Sequence, residues 1–315
     1  MKKKVFIDGS EGTTGLRIFE RFESRDDIEL LKIPSELRKD PVEVKKYINE
    51  SDITFLCLPD AAAREAVAMV ENENTIILDT STAHRTEAGW AYGYPELSAA
   101  HREAIRTGKR IAVPGCYATG FITTAYALTA GGILPKDYPV SAFAVSGYSG
   151  GGKKMIAQYQ AQDKEKELSS ARLYALSQSH KHLKEMKAIS GLERTPLFSP
   201  MVTDYYSGMT VSLTFYADML NGRQTPETVR EYLAKHYAGE KFITVQPLGA
   251  EAESGGVLFS SARFGWDGLE IYVTGNEDRI MVTTRFDNLG KGASGAAIQC
   301  MNIVLGCEED KGLTV

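Results

Sequence analysis

The segment Gly9–Gly15 constrains the fold of this 315-residue chain more than any other feature of its sequence. Glycine stands at the first, fourth and seventh positions of the segment. It follows the apolar run 4–8, which is rich in β-forming residues, and it precedes residues 13–23, where apolar side chains recur at helical spacing. This arrangement predicts a strand that passes through a tight turn directly into a helix.

The alternation of strand and helix patterns continues as far as residue 113. Strand-like runs lie at 29–33, 53–58, 75–78 and 110–113, and helix-like segments lie at 41–48 and 61–70. Strands that alternate with helices form parallel sheets with helices on both faces. The first part of the chain is therefore predicted to be a Rossmann-type α/β domain.

Beyond residue 135 strand-like runs dominate, and they predict an α+β domain with a mixed sheet. These runs lie at 141–146, 202–215, 242–246, 258–264, 269–273 and 279–285, with one long helical stretch at about 171–189. The Ala-rich segment 292–306 predicts a helix that returns to the first domain. The predicted domains are 1–117 with 288–315, and 118–287.

The glycine-rich turn has the properties of a dinucleotide site. Glycines let the backbone approach a pyrophosphate, and the following helix offers unbonded N–H groups at its N-terminus; the alternative is a plain strand-to-helix turn. After the second strand-like run, Ser35, Arg38 and Lys39 favour the 2′-phosphate of NADP over NAD, although Glu36 argues against it. The predicted cofactor-binding residues here are Gly9, Ser10, Gly12, Thr13, Thr14, Gly15, Ser35 and Arg38.

One of the four cysteines is placed for chemistry. Cys116 follows a Pro-Gly turn where a strand-like run ends and a helix begins, and a helix N-terminus favours the nucleophilic thiolate. Cys57, Cys300 and Cys307 lie in apolar or Ala-rich segments or just after them, which favours packing roles. A nucleophilic thiol beside a nicotinamide site indicates an enzyme that forms a thioester and reduces it to an aldehyde.

Such chemistry also needs groups that transfer protons and bind an anionic leaving group. His180 and His182 are candidates for proton transfer, and two residues apart on the predicted helix they should point in different directions. His84 is a third candidate. Arg85 and Lys153 are candidates for contacts with an acyl phosphate. Lys153 ends a Gly-rich loop that lacks the Ser or Thr of an ATP-binding P-loop.

Composition excludes several other classes of protein. The chain has 36 Lys and Arg against 41 Asp and Glu, a net charge of −5, so it lacks the basic excess typical of nucleic-acid binding. Its sequence has no run near the ~18 apolar residues that a membrane span needs. The cysteines show no CxxC spacing, so no metal site is expected. These features predict a cytoplasmic enzyme with reduced thiols that acts on a small molecule.

Several segments of the sequence resemble those of a known family. Asp79–Arg85 fits an Asp-x-Ser-x-x-x-Arg pattern, and residues 92–96 read Tyr-Gly-Tyr-Pro-Glu. Residues 114–120 read Pro-Gly-Cys-Tyr-Ala-Thr-Gly, and residues 288–295 read Asn-Leu-Gly-Lys-Gly-Ala-Ser-Gly. With the glycine-rich turn, these segments resemble the short form of N-acetyl-gamma-glutamyl-phosphate reductase from arginine biosynthesis. The cysteine signature is the most specific of them.

The resemblance implies a reaction and a set of roles. The reaction is the NADPH-dependent reduction of N-acetyl-gamma-glutamyl phosphate to N-acetylglutamate semialdehyde and phosphate through a thioester on Cys116. Asn288 lies in the stretch that the family places near the nicotinamide. The second domain serves oligomerisation, which implies a homo-oligomer, either a dimer or a tetramer.

The resemblance also addresses the histidines. His182 corresponds best to the family's catalytic histidine, because His182-x-x-Glu185 keeps the family's spacing. Lys184 departs from the pattern, since the long-form members usually carry Pro there. His180 has a family counterpart as well and is also a candidate for substrate contact, so the choice between the two histidines stays open.

Three rival interpretations remain at this point. An aspartate-semialdehyde dehydrogenase, or a lysine-pathway analogue with a carrier-linked substrate, would share the chemistry and differ in the substrate pocket. The net charge of −5 gives no support for a carrier protein. A non-catalytic NADP-sensing protein would keep the fold, but Cys116 and both histidines argue against it. A thiol hydrolase with an incidental glycine turn is the third.

Overall fold

Six parallel strands form the sheet of the first of two compact units in the computed structural model, which describes residues 2–315. This unit runs to Gly115 and includes Ala293–Thr314. Its strands are β1 Lys3–Asp8, β2 Ile28–Leu31, β3 Ile53–Leu56, β4 Ile76–Asp79, β5 Ala91–Tyr92 and β6 Arg110–Ala112, in the order β2-β1-β3-β4-β6-β5. Its first four helices are α1 Thr13–Phe22, α2 Pro41–Glu50, α3 Asp60–Ala68 and α4 Ala99–Thr107.

Alternate residues of the parallel strands enter two separate cores, one on each face of the sheet. Val5 and Ile7 of β1 pack with Ile18 of α1, whereas Phe6 packs with Ile48 of α2 on the other face. Burial on both faces is what parallel strands between helical layers require. The predicted Rossmann-type domain is confirmed.

The second unit, Cys116–Gly292, contains a mixed sheet of seven strands. The pairs β7–β9 and β11–β12 are parallel, and the other pairs are antiparallel. The strands are β7 Ser141–Gly147, β8 Arg172–Leu173, β9 Leu197–Thr203, β10 Met209–Tyr216, β11 Ile243–Val245, β12 Leu269–Gly275 and β13 Arg279–Phe286, in the order β11-β12-β13-β10-β7-β9-β8. The helices of this unit are α5 Cys116–Ala130, α6 Gly152–Gln160, α7 Leu183–Ser190 and α8 Pro226–His236. The predicted mixed-sheet domain is confirmed.

Helix α5 lies directly on the mixed sheet, and Gly120 makes this close approach possible. A Cβ at Gly120 would lie 2.6 Å from Oγ1 of Thr284 and 2.7 Å from a methyl group of Val211. Because those atoms belong to β13 and β10, any larger residue would push the helix away from the sheet.

The last helix, α9 Gly295–Leu305, belongs to the first unit. Its residues Ala297, Ile298 and Met301 lie in the same core as β1 and α1. The boundaries between the two compact units lie between Gly115 and Cys116 and between Gly292 and Ala293. The domain limits 117/118 and 287/288 stay a prediction.

Three predicted elements are wrong. The run 202–215 is not one strand, because it spans the end of β9, a turn and most of β10. The segment 171–189 is not one helix: β8 pairs with β9, an irregular turn follows, and α7 begins only at Leu183. Leu176, which lies on the expected helix, is 77% exposed. The segment 258–264 is not a strand but a loop, and a hydrogen bond of 2.5 Å between the Tyr205 hydroxyl and Ser260 Oγ holds it in place. In the segments 171–189 and 258–264, contacts with residues distant in sequence override the local pattern.

Within residues 2–315, no helix combines the length and the apolar character that crossing a bilayer requires.

Candidate active site

The glycine-rich turn joins β1 to α1, and its three glycines have different roles. Gly9 has φ +82°, and a Cβ there would overlap the carbonyl oxygen of Cys57. A Cβ at Gly15 would overlap the carbonyl oxygen of Gly9. Gly12 has φ −69° and ψ 165°, which any residue adopts, and a Cβ there would lie 3.2 Å from its nearest neighbour, Gly9 O. The turn itself therefore requires Gly9 and Gly15, whereas Gly12 keeps the N-terminus of α1 open.

This open end fits the pyrophosphate of a dinucleotide. Within residues 2–315, the Thr13 Oγ1 atom is buried and has no hydrogen-bond partner. The first N–H groups of α1 have no intrahelical acceptor, and the helix N-terminus favours an anion. A pocket of ≈ 190 Å³ adjoins the turn and is lined by Ser10 of the turn, Phe6 and Ile7 of β1, Phe19 of α1, and residues 30–33 at the end of β2.

The loop after β2 meets the same turn. Arg38 forms an ion pair with Glu11 inside the turn, so the structure brings one of the predicted NADP-binding cations to the glycine-rich segment. Ser35 lies exposed in the same loop. Glu36, which argued against NADP, is also exposed.

A carboxyl group lies at the entrance to the turn. Burial raises the pKa of Asp8 to about 6, although a hydrogen bond from the Gly9 backbone acts in the opposite direction. Asp8 is therefore partly protonated near pH 6, and below that pH this edge of the sheet carries less negative charge. No sequence pattern indicates this group, because its burial depends on the packing of β1 against its neighbours.

The nucleophile candidate, Cys116, is the first residue of α5 and is partly exposed. The backbone of Gly292 lies against it, since a Cβ on Gly292 would be 3.0 Å from that of Cys116. The other thiols lie in packing environments. Burial raises the pKa of Cys57 to about 12, the Cys300 thiol donates to Gly93 O at 3.4 Å, and Cys307 contacts Asp27 Oδ2 at 3.9 Å.

The structure brings His180 and His182 together, contrary to the prediction. They lie in the turn before α7, and their ring centroids are 4.7 Å apart. The ring of Tyr117, the residue after Cys116, lies 5.7 Å from His180 and 6.1 Å from His182. The prediction that they diverge assumed a helix, and the two rings converge because the backbone is not helical there.

The two histidines have different electrostatic environments. The backbone N–H of His182 donates to Nδ1 of His180 at 3.1 Å, so the neutral His180 ring carries its proton on Nε2. Burial, together with the Lys181 cation, lowers the pKa of His180 to about 4. His182 is buried, 5% exposed, and directly precedes α7, which packs against α5. At neutral pH His180 is a fixed neutral donor.

Two further aromatic side chains complete this cluster, and no motif in the sequence indicates them. Tyr174 and Phe198 lie with their ring centroids 6.4 Å and 5.3 Å from that of Tyr117. Burial raises the pKa of both tyrosine hydroxyls, and the neighbouring hydroxyl and the Cys116 thiol add to the effect on Tyr117. Tyr174 and Phe198 reach the cluster through the pairing of β8 with β9, which local sequence does not reveal.

Asn288 is buried and holds two segments of the second unit. Its Oδ1 accepts from the N–H of Gly208 at 2.8 Å, and its Nδ2 donates to Ser149 Oγ at 3.0 Å. Ser149 belongs to the Gly-rich loop before α6, and Lys153 lies exposed in the first turn of that helix. The role of Asn288 in cofactor binding stays a prediction.

The other candidates from the first unit have internal partners. His84 Nδ1 contacts Asp79 Oδ2 at 2.6 Å, and its ring stacks on Trp90 with centroids 4.1 Å apart. The Arg85 guanidinium donates to the carbonyl oxygens of Val113 and Thr80 at 2.8 and 2.9 Å. These bonds give His84 and Arg85 structural roles that the sequence did not predict, and substrate binding by Arg85 stays a prediction.

Comparison with known proteins matches both parts of the chain. Residues 4–106 match the family described as semialdehyde dehydrogenase, NAD binding domain, and residues 116–288 match semialdehyde dehydrogenase, dimerisation domain. N-acetyl-gamma-glutamyl-phosphate reductase 2 of Nostoc sp. is 43% identical over 320 residues and covers 99% of each chain. N-acetyl-gamma-glutamyl-phosphate reductase of Brucella ovis is 44% identical over 97% of this chain and 100% of its own. The chain belongs to the N-acetyl-gamma-glutamyl-phosphate reductase family.

The fold recurs in solved structures of lower similarity. Aspartate semialdehyde dehydrogenase from Francisella tularensis superimposes with a TM-score of 0.73 at 15% identity, covering 97% of this chain and 100% of its own. The predicted family, fold class and nicotinamide-dependent oxidoreductase class are confirmed for this member of the reductase family. The dimerisation-domain match supports self-association of the second unit.

Proposed function

We propose that the chain reduces N-acetyl-gamma-glutamyl phosphate to N-acetylglutamate semialdehyde and phosphate, with NADPH as the reductant and a thioester on Cys116. The observation that carries the proposal is the placement of a partly exposed thiol at the first residue of α5, next to Tyr117, whose ring lies 5.7 Å from that of His180 and 6.1 Å from that of His182. Full-length relatives named for this activity support the substrate.

In the proposed reaction Cys116 attacks the γ-carbonyl carbon of the acyl phosphate. A C–S bond forms, the C–O bond to phosphate breaks, and phosphate leaves with its electron pair. NADPH, when bound at the glycine-rich turn, supplies a hydride that converts the thioester to a thiohemiacetal. Loss of the thiolate from the thiohemiacetal then gives the aldehyde, so one acyl phosphate, one NADPH and one proton yield aldehyde, NADP and phosphate.

The histidine pair serves the proton transfers of this sequence. His182 supplies the proton for the thiohemiacetal oxygen and removes it when the aldehyde forms. His180, fixed as the neutral Nε2–H form, donates a hydrogen bond to substrate. Lys153 lies in the first turn of α6, where the positive end of the helix dipole disfavours a cation. An anionic substrate group bound beside Lys153 offsets this unfavourable interaction.

The glycine-rich turn offers a test of the cofactor site, because two of its glycines should fail in different ways. We expect Gly15→Ala to lower the free energy of unfolding by about 2–3 kcal/mol, since its Cβ would overlap Gly9 O. Gly12→Ala should leave stability within about 1 kcal/mol but raise the KM for NADPH about tenfold or more, because the methyl group enters the space left for pyrophosphate. Urea unfolding and cofactor titration separate the two effects. Equal effects of both variants on stability, with an unchanged KM in Gly12→Ala, would contradict this assignment.

The partner we propose is a second copy of the chain, at least as a dimer, with the cytoplasm as its compartment. One face of the mixed sheet carries exposed apolar side chains, among them Phe143 at 39%, Leu197 at 59% and Tyr216 at 59% exposure. They lie on the same face because their strands pair in register. Sedimentation velocity should give a particle of at least twice the chain's 34.5 kDa. The four free cysteines suit a reducing compartment.

The activity is tested in the reverse direction. N-acetylglutamate semialdehyde, phosphate and NADP are supplied, and nicotinamide reduction is followed by absorbance, with NAD and aspartate semialdehyde as alternatives. We expect strict dependence on phosphate, and a preference for NADP and for the acetylated substrate. Faster turnover of aspartate semialdehyde would transfer the chain to the rival activity, and no turnover with either aldehyde would favour a cofactor-sensing role.

A further inference from the structure

The turn that carries the two histidines has an unusual backbone. Between β8 and α7, Ala175 has φ 51° and Gln178 has φ 56°, both in the left-handed region that few residues other than glycine adopt. This conformation is strained for a residue with a Cβ, because the Cβ comes close to the following carbonyl oxygen. Such a backbone persists only where neighbouring contacts hold it in place.

The side chain of Gln178 makes such a contact. Its Nε2 donates to the carbonyl oxygen of Phe198 at 2.9 Å, and its Oε1 accepts from the Phe198 N–H at 2.9 Å. Phe198 lies in β9, and the regular pairing of β8 with β9 ends with Leu173 opposite Met201. The amide of Gln178 thus pairs with β9 as the peptide group of a further strand residue would, and it satisfies one donor and one acceptor of the strand.

Phe198 connects this pairing to the candidate site. Its ring is buried, 1% exposed, and its centroid lies 5.3 Å from that of His180 and 5.3 Å from that of Tyr117. Tyr117 follows Cys116 at the start of α5. Phe198 therefore contacts Gln178 through its backbone and His180 through its ring.

The turn continues from Gln178 to the histidines through local hydrogen bonds. The Gln178 N–H donates to Ala175 O at 2.9 Å, and the His182 N–H donates to His180 Nδ1 at 3.1 Å. The Leu183 N–H then donates to His180 O at 3.0 Å as α7 begins. A shift of the turn at Gln178 would move both imidazoles, because few residues separate them from it.

We infer that Gln178 is a positioning residue: by pairing with both backbone groups of Phe198, its side-chain amide holds the turn 175–182 so that His180 and His182 stay beside Tyr117 at the Cys116 end of α5. Gln178 acts through the histidines. The kinetic consequence rests on the proposed function.

The test compares Gln178→Ala with Gln178→Gly. Both remove the amide, but glycine accepts the left-handed backbone without strain, so a loss common to both reports the amide. We expect each variant to lower kcat about 10- to 100-fold, as misplaced catalytic groups do, with the KM for NADP within twofold of the wild type. The control is Gln158→Ala, an exposed glutamine of α6, which should keep the wild-type kcat.

A second measurement does not depend on the substrate. Alkylation of Cys116 by iodoacetamide, followed by peptide mass spectrometry, should change in rate at least threefold in both Gln178 variants and not in the control. If the wild type turned over neither aldehyde, the proposed function would fail while the alkylation rates still decided this inference. A wild-type kcat and a wild-type alkylation rate in Gln178→Gly would overturn the inference that Gln178 positions the histidines. A loss of kcat that matches a loss of folded protein in thermal unfolding would overturn it as well.

Discussion

Cys116→Ser should abolish turnover, with kcat lowered by at least about 10³-fold, because a serine hydroxyl is a far weaker nucleophile than a thiolate at neutral pH. Ser differs from Cys by one atom, and the first turn of α5 accepts it without new contacts. The fold and the glycine-rich turn should be unaffected. The measurement is the phosphate-dependent reverse assay, combined with NADPH binding followed by fluorescence, and the dissociation constant should stay within twofold of the wild type.

The matched control for this substitution is Cys307→Ser. Cys307 is another partly exposed cysteine, but its sulfur contacts the Asp27 carboxylate and not the histidine cluster. We expect it to retain wild-type kcat. Activity retained in Cys116→Ser would rule out the thioester, and equal losses in both variants would indicate a general effect of removing a thiol.

His182→Ala should lower kcat about 10²- to 10³-fold, the range of general acid–base catalysis, and His180→Ala should lower it less, about tenfold. The physical reason is that His180 is held neutral. Its Nδ1 accepts from the His182 N–H, and its pKa of about 4 lies below the range in which a histidine exchanges protons near neutral pH. His180 therefore supplies a hydrogen bond and not a proton.

The pH profile separates the two roles. Because the pKa of His180 is about 4, an acid limb of kcat near pH 6 in the wild type does not arise from this residue. Any such limb should therefore persist in His180→Ala. Loss of the limb in His180→Ala, or a larger loss of kcat in His180→Ala than in His182→Ala, would reassign the proton transfer to His180.

Sequence patterns predicted the first unit more accurately than the second, and the reason is physical. In the first unit β1, β2 and β3 are each followed directly by a helix, so periodicity, glycine turns and burial all point to the same structure. In the second unit the strands pair across long sequence separations. Residues 258–264 have the pattern of a strand, yet Ser260 forms a hydrogen bond with the hydroxyl of Tyr205. The next residue after this segment, Gly265, donates its N–H to the carboxylate of Asp287. No local pattern contains that information.

The candidate site divides in the same way. Cys116 was predictable because a Pro-Gly turn before a helix places a thiol at a helix N-terminus, and Gly9 and Gly15 were predictable because a tight strand-to-helix turn leaves no space for a Cβ. The sequence did not predict Tyr174 and Phe198, because their rings join a cluster that the pairing of β8 with β9 assembles. The predicted divergence of His180 and His182 failed for the same reason.

The sequence by itself determined the glycine-rich turn, the parallel domain that it opens and the placement of Cys116 at a helix N-terminus, and its motifs identified the family. The first three follow from spacings of a few residues, over which chain geometry leaves few alternatives. Only the tertiary structure decided which histidine stays neutral, which aromatic rings surround the pair, and that Gln178 holds their turn. Burial and long-range strand pairing set these properties, and both depend on residues far apart in the chain.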